Sequence, residues 1–176
     1  TWRNYQDPIN RALDKNKKPA AAYEMLDVDD SVYFDAQTAD KTIEDLKRLK
    51  SDNSSFFLAV GFVKPHLPFT APKKYWDLYD IDSIQLPTQS TFPKTAPLIA
   101  KHSWGELRHY KDIPNDGPIT EHLAKTLIHA YFASVSFVDA QIGRVIDALD
   151  DLDLRDNTVV VLVGDHGWSL SEHGLW

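Results

Sequence analysis

Apolar positions along this chain follow helical spacing in two places and form unbroken runs in two others, and those four stretches predict its architecture. From Thr38 to Lys50, Ala39, Ile43, Leu46 and Leu49 lie on one side with Lys and Glu between them, the pattern of an amphipathic helix. Thr38 is placed to cap it, and Lys47, Arg48 and Lys50 suit the carboxyl end of its dipole. A longer helix is predicted from about Thr120 to Leu149, where Leu123, Leu127, Tyr131, Val135, Val138, Ile142, Val145 and Leu149 draw one stripe. Asp139 sits beside that stripe, a place for a buried hydrogen bond, with no catalytic role assigned. The unbroken runs are Phe56 to Phe62 and Thr158 to Val163, which lack polar alternation and read as strands buried on both faces of a parallel sheet. The long helix, a turn and the Val159 strand complete a strand-helix-strand unit with an expected right-handed crossover, so the predicted fold class is α/β.

Elsewhere neither period holds. Residues 1–37 read as an irregular lead-in, with a helical turn near Ile9 to Leu13 and Asp27, Asp29 and Asp30 facing solvent. Residues 70–118 carry six prolines among aromatics, a long excursion with a short helix expected at Trp76 to Tyr79. Compact domains seldom keep so long an irregular segment without a functional reason, and substrate-contacting loops are the usual one. Within it Trp104, Glu106, Arg108, His109 and Tyr110 are read as a packed aromatic with solvated charges in preference to a polar pocket.

Both apolar runs end in chemistry. The first leads into Lys64-Pro65-His66-Leu67-Pro68, where prolines on both sides restrict the backbone of His66. Such a histidine suits a general acid or an anion donor, and Lys64 adds a positive charge for a sulfate or phosphate oxygen. The second leads into Gly164-Asp165-His166-Gly167, a carboxylate and an imidazole at the carboxyl end of a strand, where open α/β sheets bind their ligands. Asp165 offers hard oxygen suited to Ca²⁺ or Mg²⁺ and His166 a nitrogen suited to zinc, so the pair alone does not choose a metal.

Composition narrows the field. The 176 residues carry a formal net charge of −7 without a basic patch, which argues against nucleic acid as a partner. No apolar stretch is long enough to span a membrane. With no Cys there is no disulfide framework, zinc-thiolate site or Cys nucleophile within these residues. Neither a Gly-x-Ser-x-Gly elbow nor a glycine-rich phosphate cradle is present, so an enzyme built on these residues draws its nucleophile from elsewhere. The acids from Asp147 to Asp156 fail as an EF-hand, because Arg155 takes a ligand position and no Gly makes the turn. Asn53-Ser54-Ser55 fits the glycosylation acceptor pattern, a triplet common by chance. The ends, without an initiator Met or a closing helix, read as those of an internal piece of a larger protein.

Three segments, Phe56 to Phe69, Tyr131 to Asp139 and Gly164 to Gly174, together resemble the type I sulfatases, most of all the iduronate 2-sulfatase branch. The resemblance runs from about Asp27 to Trp176 and is weakest in the proline-rich excursion. It implies an alkaline-phosphatase-like α/β fold, a mostly parallel sheet flanked by helices and incomplete here. Residues 1–176 would be part of a single catalytic domain: a lead-in at 1–37, helix, strand and site loop at 38–69, the excursion at 70–118, and at 119–176 the long helix, core strand and metal-site loop. It further implies hydrolysis of a sulfate ester by a formylglycine nucleophile beside Ca²⁺, with Asp165 and His166 as metal ligands. His66 would contact the sulfate and protonate the leaving alcohol, with Lys64, Trp168 and His173 at the substrate. The expected partners are a sulfated sugar or glycosaminoglycan and the remainder of the sulfatase chain, in an extracytoplasmic setting, whether periplasmic, secreted or lysosomal. The family's Cys-x-Pro-Ser-Arg motif and paired aspartates are not in these residues, so the chain alone is expected to be inactive. Competing readings are a phosphodiesterase or phosphonate hydrolase of the same superfamily using zinc or manganese, and a non-catalytic relative that binds anionic glycans.

Overall fold

Two short parallel strands, Tyr23–Leu26 (β1) and Phe69–Pro72 (β2), pair in register from Tyr23 opposite Phe69 to Leu26 opposite Pro72. The computed structural model describes residues 2–176. Helix α1 (Pro8–Lys15) precedes β1, and α2 (Phe34–Ser51) lies between the two strands in sequence. After β2 come α3 (Lys73–Trp76), α4 (Gly105–Arg108) and the 31-residue α5 (Glu121–Asp151), with two 3-10 turns, Ile81–Ser83 and Leu98–Ala100, between α3 and α4. The chain is thus α/β, as its pattern predicts, with helices against a parallel pair of strands.

Helix starts follow their local chemistry. Asp7 caps α1 by accepting from the Ile9 and Asn10 N–H groups at 2.9 Å, with Pro8 at the first position. Thr120 does the same for α5 through the Leu123 N–H at 3.3 Å. Helix α2 departs from expectation, because it begins at Phe34 and not after Thr38. Its cap is Tyr33, which makes no side-chain cap bond; the ring is buried edge-on against Phe137 of α5, 5.6 Å between centroids. Tertiary packing therefore sets this helix start. The short helix expected at Trp76 to Tyr79 lies one turn earlier, as α3.

The stripe on α5 also differs from the apolar spacing. Leu127, Val138 and Leu149 are buried, but Val135 is exposed, and the buried face takes in Ala124, Ala130, Ala133 and Ser134. Small side chains let the helix approach β2 and α2 closely, so contact follows size as well as hydrophobicity. Asp139 faces solvent. Gln141, a buried polar residue on this helix, donates to Asp30 Oδ2 at 3.1 Å. Asp30 also accepts from the Tyr75 hydroxyl at 2.7 Å and lies 2.8 Å from Lys74 Nζ. Asp27 and Asp29 are exposed as expected; Asp30 is a joint between α3 and α5.

The largest correction concerns the two apolar runs. Neither Phe56 to Phe62 nor Thr158 to Val163 joins a ladder; among the described residues the sheet holds β1 and β2 alone. Val159 is 91% exposed and Phe57 95%. The strand-helix-strand unit expected to end at Val159 is not closed, and the parallel unit that forms is β1, α2, β2. A ladder needs a neighbouring backbone to pair with, whereas an apolar sequence states only what a segment is fit to be buried against. The first run is still half seated. Phe56 and Leu58 pack with Leu46, Ala148, Leu149 and Leu154 in a second apolar cluster, while Phe57, Ala59 and Gly61 on the alternate face are exposed.

The lead-in is held by one carboxylate. Glu24 of β1 is buried and accepts from the Gln6 and Asp7 N–H groups at 2.7 and 2.9 Å and from the Tyr33 hydroxyl at 3.3 Å. A buried carboxylate needs such a set of donors. Among the described residues no helix is long and apolar enough to cross a membrane.

Candidate functional site

The two apolar runs deliver their polar ends to the lining of one cleft of about 1600 Å³. Lys64 and His66 line one wall, and Asp165, His166 and Trp168 line the other. The walls close together beyond the cleft, where the Trp168 ring meets Phe69 of β2 edge-on at 5.7 Å. Five of the six residues singled out in the sequence therefore share one site.

His66 is held on three sides. Its N–H donates to the Val63 carbonyl at 2.9 Å, closing a turn, and both the Lys64-Pro65 and Leu67-Pro68 peptide bonds are cis. Ring Nδ1 lies 2.7 Å from the Leu67 carbonyl. A carbonyl only accepts, so Nδ1 carries a proton and Nε2 is left to exchange one. Nε2 lies 3.6 Å from Glu106 Oε1, and the Trp2 ring meets the imidazole edge-on at 5.1 Å.

Lys64 faces inward. Its Nζ donates to the Pro68 carbonyl at 2.5 Å and to the His66 carbonyl at 3.4 Å, so its charge is spent on the loop that carries His66. Burial pulls this ammonium down to about 8, against the opposing pull of the Asp35 and Glu24 carboxylates. Asp35, buried in the first turn of α2, accepts the Val63 and Lys64 N–H groups on its two oxygens, each at 2.9 Å. One carboxylate thus fixes the root of the site loop.

On the second wall Asp165 and His166 are open to solvent, with side chains 92% and 65% exposed. Asp165 Oδ1 accepts the His166 N–H at 3.0 Å, and Oδ2 lies 3.9 Å from His166 Nε2. Among the described residues no group of three or more His, Asp or Glu side chains converges to hold a metal. Asp165 and His166 form a two-residue donor set with no cationic side chain of Lys or Arg bonded to it among the described residues, which fits part of a cation shell.

His173 stands apart from the cleft. It is half-buried in a left-handed turn, its N–H donating to the Gln89 carbonyl at 2.5 Å, and its Nδ1 is buried without a partner. In the excursion, Arg108 lies over the Trp104 ring at 3.6 Å and donates to the Pro114 and Gly117 carbonyls at 2.7 and 2.8 Å. Tyr110 is buried, which pushes its hydroxyl up to about 12. These residues pack the loop, in line with the plainer expectation; Glu106 alone of that group reaches His66. Sequence reading passed over Asp35 and Trp2. Asp35 looks like any acid in a first helical turn, and Trp2 lies 64 positions from the ring it touches.

Comparison with known proteins bears on this arrangement. The family profile described as Sulfatase matches residues 1–176. The chain is 39% identical over 159 residues to iduronate 2-sulfatase of Mus musculus, covering 87% of this chain and 29% of that protein. Against iduronate 2-sulfatase of Homo sapiens it is 38% identical with the same coverage. Against choline-sulfatase of Rhizobium meliloti (strain 1021) it is 29% identical over 162 residues, 86% of this chain and 29% of that protein. The chain therefore spans under a third of the length of these relatives.

Proposed function

We propose that this chain, which belongs to the sulfatase family, is part of the single catalytic domain of an enzyme that hydrolyses sulfate esters. The observation that carries the reading is that His66, Asp165 and His166 line one cleft. His66 is the general acid. With Nδ1–H committed to the Leu67 carbonyl, Nε2 is the atom that hands a proton to the departing alcohol oxygen. Glu106 Oε1 stands 3.6 Å from that nitrogen and adds a negative charge beside it.

Asp165 and His166 would hold part of a Ca²⁺ shell, and the ion would supply polarisation of the sulfate oxygens. Hard carboxylate oxygen suits calcium, and the remaining ligands and the formylglycine nucleophile belong to parts of the protein outside residues 1–176. Trp168, fixed edge-on by Phe69, borders the substrate. Lys64 acts on substrate indirectly, by holding the His66 and Pro68 carbonyls. His173 keeps a peripheral place, orienting the turn that follows Trp168. The substrate class is a sulfated sugar or glycosaminoglycan in an extracytoplasmic compartment, supported by the iduronate 2-sulfatases among the relatives. Residues 1–176 alone are inactive on this reading.

The test is leaving-group dependence in the full-length parent. His66→Ala should lower turnover of an alkyl or sugar sulfate by about 10²-fold or more, and that of an activated aryl sulfate far less, because a good leaving group needs no proton. Equal losses on both substrates, or none, would remove the general-acid role.

A further inference from the structure

A second groove lies beside the cleft. It encloses about 640 Å³, within the ~300–1,000 Å³ of ligand sites, and its lining includes Asn4, Arg11, Asp14, Lys15, Phe34 and Gln37. Arg3 joins the two spaces. Its guanidinium lies 5.0 Å from the centroid of the Trp2 ring, which lines the cleft, and donates at 3.0 Å to Asp14, which lines the groove. From Trp2 to Asn4 the backbone reaches at most about 7 Å. One guanidinium therefore separates the site of His66 from the groove.

The groove is the basic corner of an acidic chain. Residues 1–18 hold five Lys and Arg against two Asp, whereas the net charge of all 176 residues is −7. These cations are spread along the sequence, and the winding of α1 brings Arg11 and Lys15, four positions apart, to one face. Both acids are already engaged, since Asp7 caps α1 and Asp14 is paired with Arg3. Arg11, Lys15, Lys17 and Lys18 are exposed, and among the described residues none of the four is in an ion pair. Lys15 suits the carboxyl end of the α1 dipole, which leaves Arg11 unexplained by the helix. Phe34, 42% exposed, adds an apolar surface, and Asn4 and Gln37 add amides. Arg and Lys hold sulfate and carboxylate oxygens by charge-assisted hydrogen bonds. An acidic sugar chain presents such oxygens at intervals, with hydroxyls for the amides and an apolar ring face for Phe34.

We propose that this groove extends the substrate site, holding the sulfate or carboxylate groups of sugar units next to the one whose ester lies at His66. The proposal rests on the sulfate-ester reading and adds that the substrate is an anionic polysaccharide chain, longer than the unit cleaved. Arg11 and Lys15 carry the contact, and Arg3, held by Asp14, bridges groove and cleft. A local positive field on an otherwise negative chain also directs the approach, because the acidic remainder repels a polyanion.

The experiment uses the full-length parent and a heparin octasaccharide at physiological ionic strength. Affinity is read by calorimetry in a His66→Ala background, where no turnover is needed. Arg11→Glu combined with Lys15→Glu should weaken octasaccharide binding about tenfold or more, and added salt should narrow the gap. Arg11→Lys combined with Lys15→Arg, which keeps both charges, should bind as the unmodified protein does. With His66 intact, the octasaccharide should inhibit turnover of a small aryl sulfate competitively. The double charge reversal should raise that inhibition constant about tenfold while leaving aryl sulfate turnover itself unchanged. The proposal is overturned if the parent does not bind the octasaccharide, if charge reversal leaves its affinity unchanged, or if the charge-keeping variant loses as much. Binding without competition also overturns it, because the groove would then be separate from the cleft. Full turnover in His66→Ala alone, with the octasaccharide contrast retained, would remove the catalytic reading and leave the groove as a polysaccharide site.

Discussion

Replacing Asp35 with Ala removes the carboxylate that holds the root of the His66 loop. Its two oxygens accept the Val63 and Lys64 N–H groups at 2.9 Å, and its side chain is buried at 3% residue exposure. Each hydrogen bond to a buried charged group contributes roughly 1.5–3 kcal/mol, and removal strands two backbone donors, that of Lys64 in a buried place. The Lys64 ammonium loses a favourable neighbouring charge in the same step. The expected destabilisation is about 3–5 kcal/mol, read from urea denaturation of the full-length parent. Asp35→Asn keeps one acceptor oxygen and should fall between Ala and the unmodified protein. Because the clamp lies two residues before His66, turnover should drop in the Asn variant through kcat more than KM. A loss below about 1 kcal/mol in Asp35→Ala, with turnover intact, would show that Asp35 is an ordinary helix acid and that the loop is held by other means.

Lys64 gives a pH signature. Its ammonium titrates near 8 in the folded chain and near 10.5 when free. Between those values the unfolded chain binds more protons, so the free energy of unfolding rises with pH, by about 3 kcal/mol over the whole window. Tyr110, pushed up to about 12 by burial, acts the other way: its contribution is present below pH 10 and is lost as pH climbs towards 12. Stability measured from pH 8 to 10 should therefore rise in the parent and stay flat in Lys64→Met; a rise of equal size in the variant refutes the assignment. For the second wall, Asp165→Asn in the parent should weaken Ca²⁺ binding by calorimetry at least about tenfold, and unchanged affinity would take Asp165 out of the shell.

The helices and the site were legible from sequence because both rest on local signals. Spacing of Ile43, Leu46 and Leu49, or of Leu127, Val138 and Leu149, is written in the chain, as are the polar residues that end each apolar run. The sheet that forms was not legible. Tyr23-Glu24-Met25-Leu26 contains a carboxylate, and Phe69-Thr70-Ala71-Pro72 a proline, so neither looks like a strand. Glu24 can be buried only because Gln6, Asp7 and Tyr33 bring donors to it from other segments, and no local rule announces such partners. Asp30 was expected to face solvent and Asp35 escaped notice for the same reason: an acid on a solvated face and an acid joining distant segments are spelled alike. Thr38 has the right chemistry for a cap, but Tyr33, packed on Phe137, decides where the helix begins. The runs at Phe56 and Thr158, expected as strands buried on both faces, join no ladder and leave Phe57 and Val159 to Val163 exposed; an apolar composition does not say where a neighbour lies.

From Thr158 to Gly164 there is no proline and no charge to interrupt five consecutive branched apolar side chains. Such a segment is the composition from which cross-β fibrils nucleate, and proteins commonly guard one with a flanking charge or proline. Here the nearest guards are Asp156 before the run and Asp165 after it. The same stretch that makes a good inner wall is thus a hazard for any polypeptide in which it stays uncovered. Val161→Asp would place a charge in the middle of the run and protect the chain from self-association.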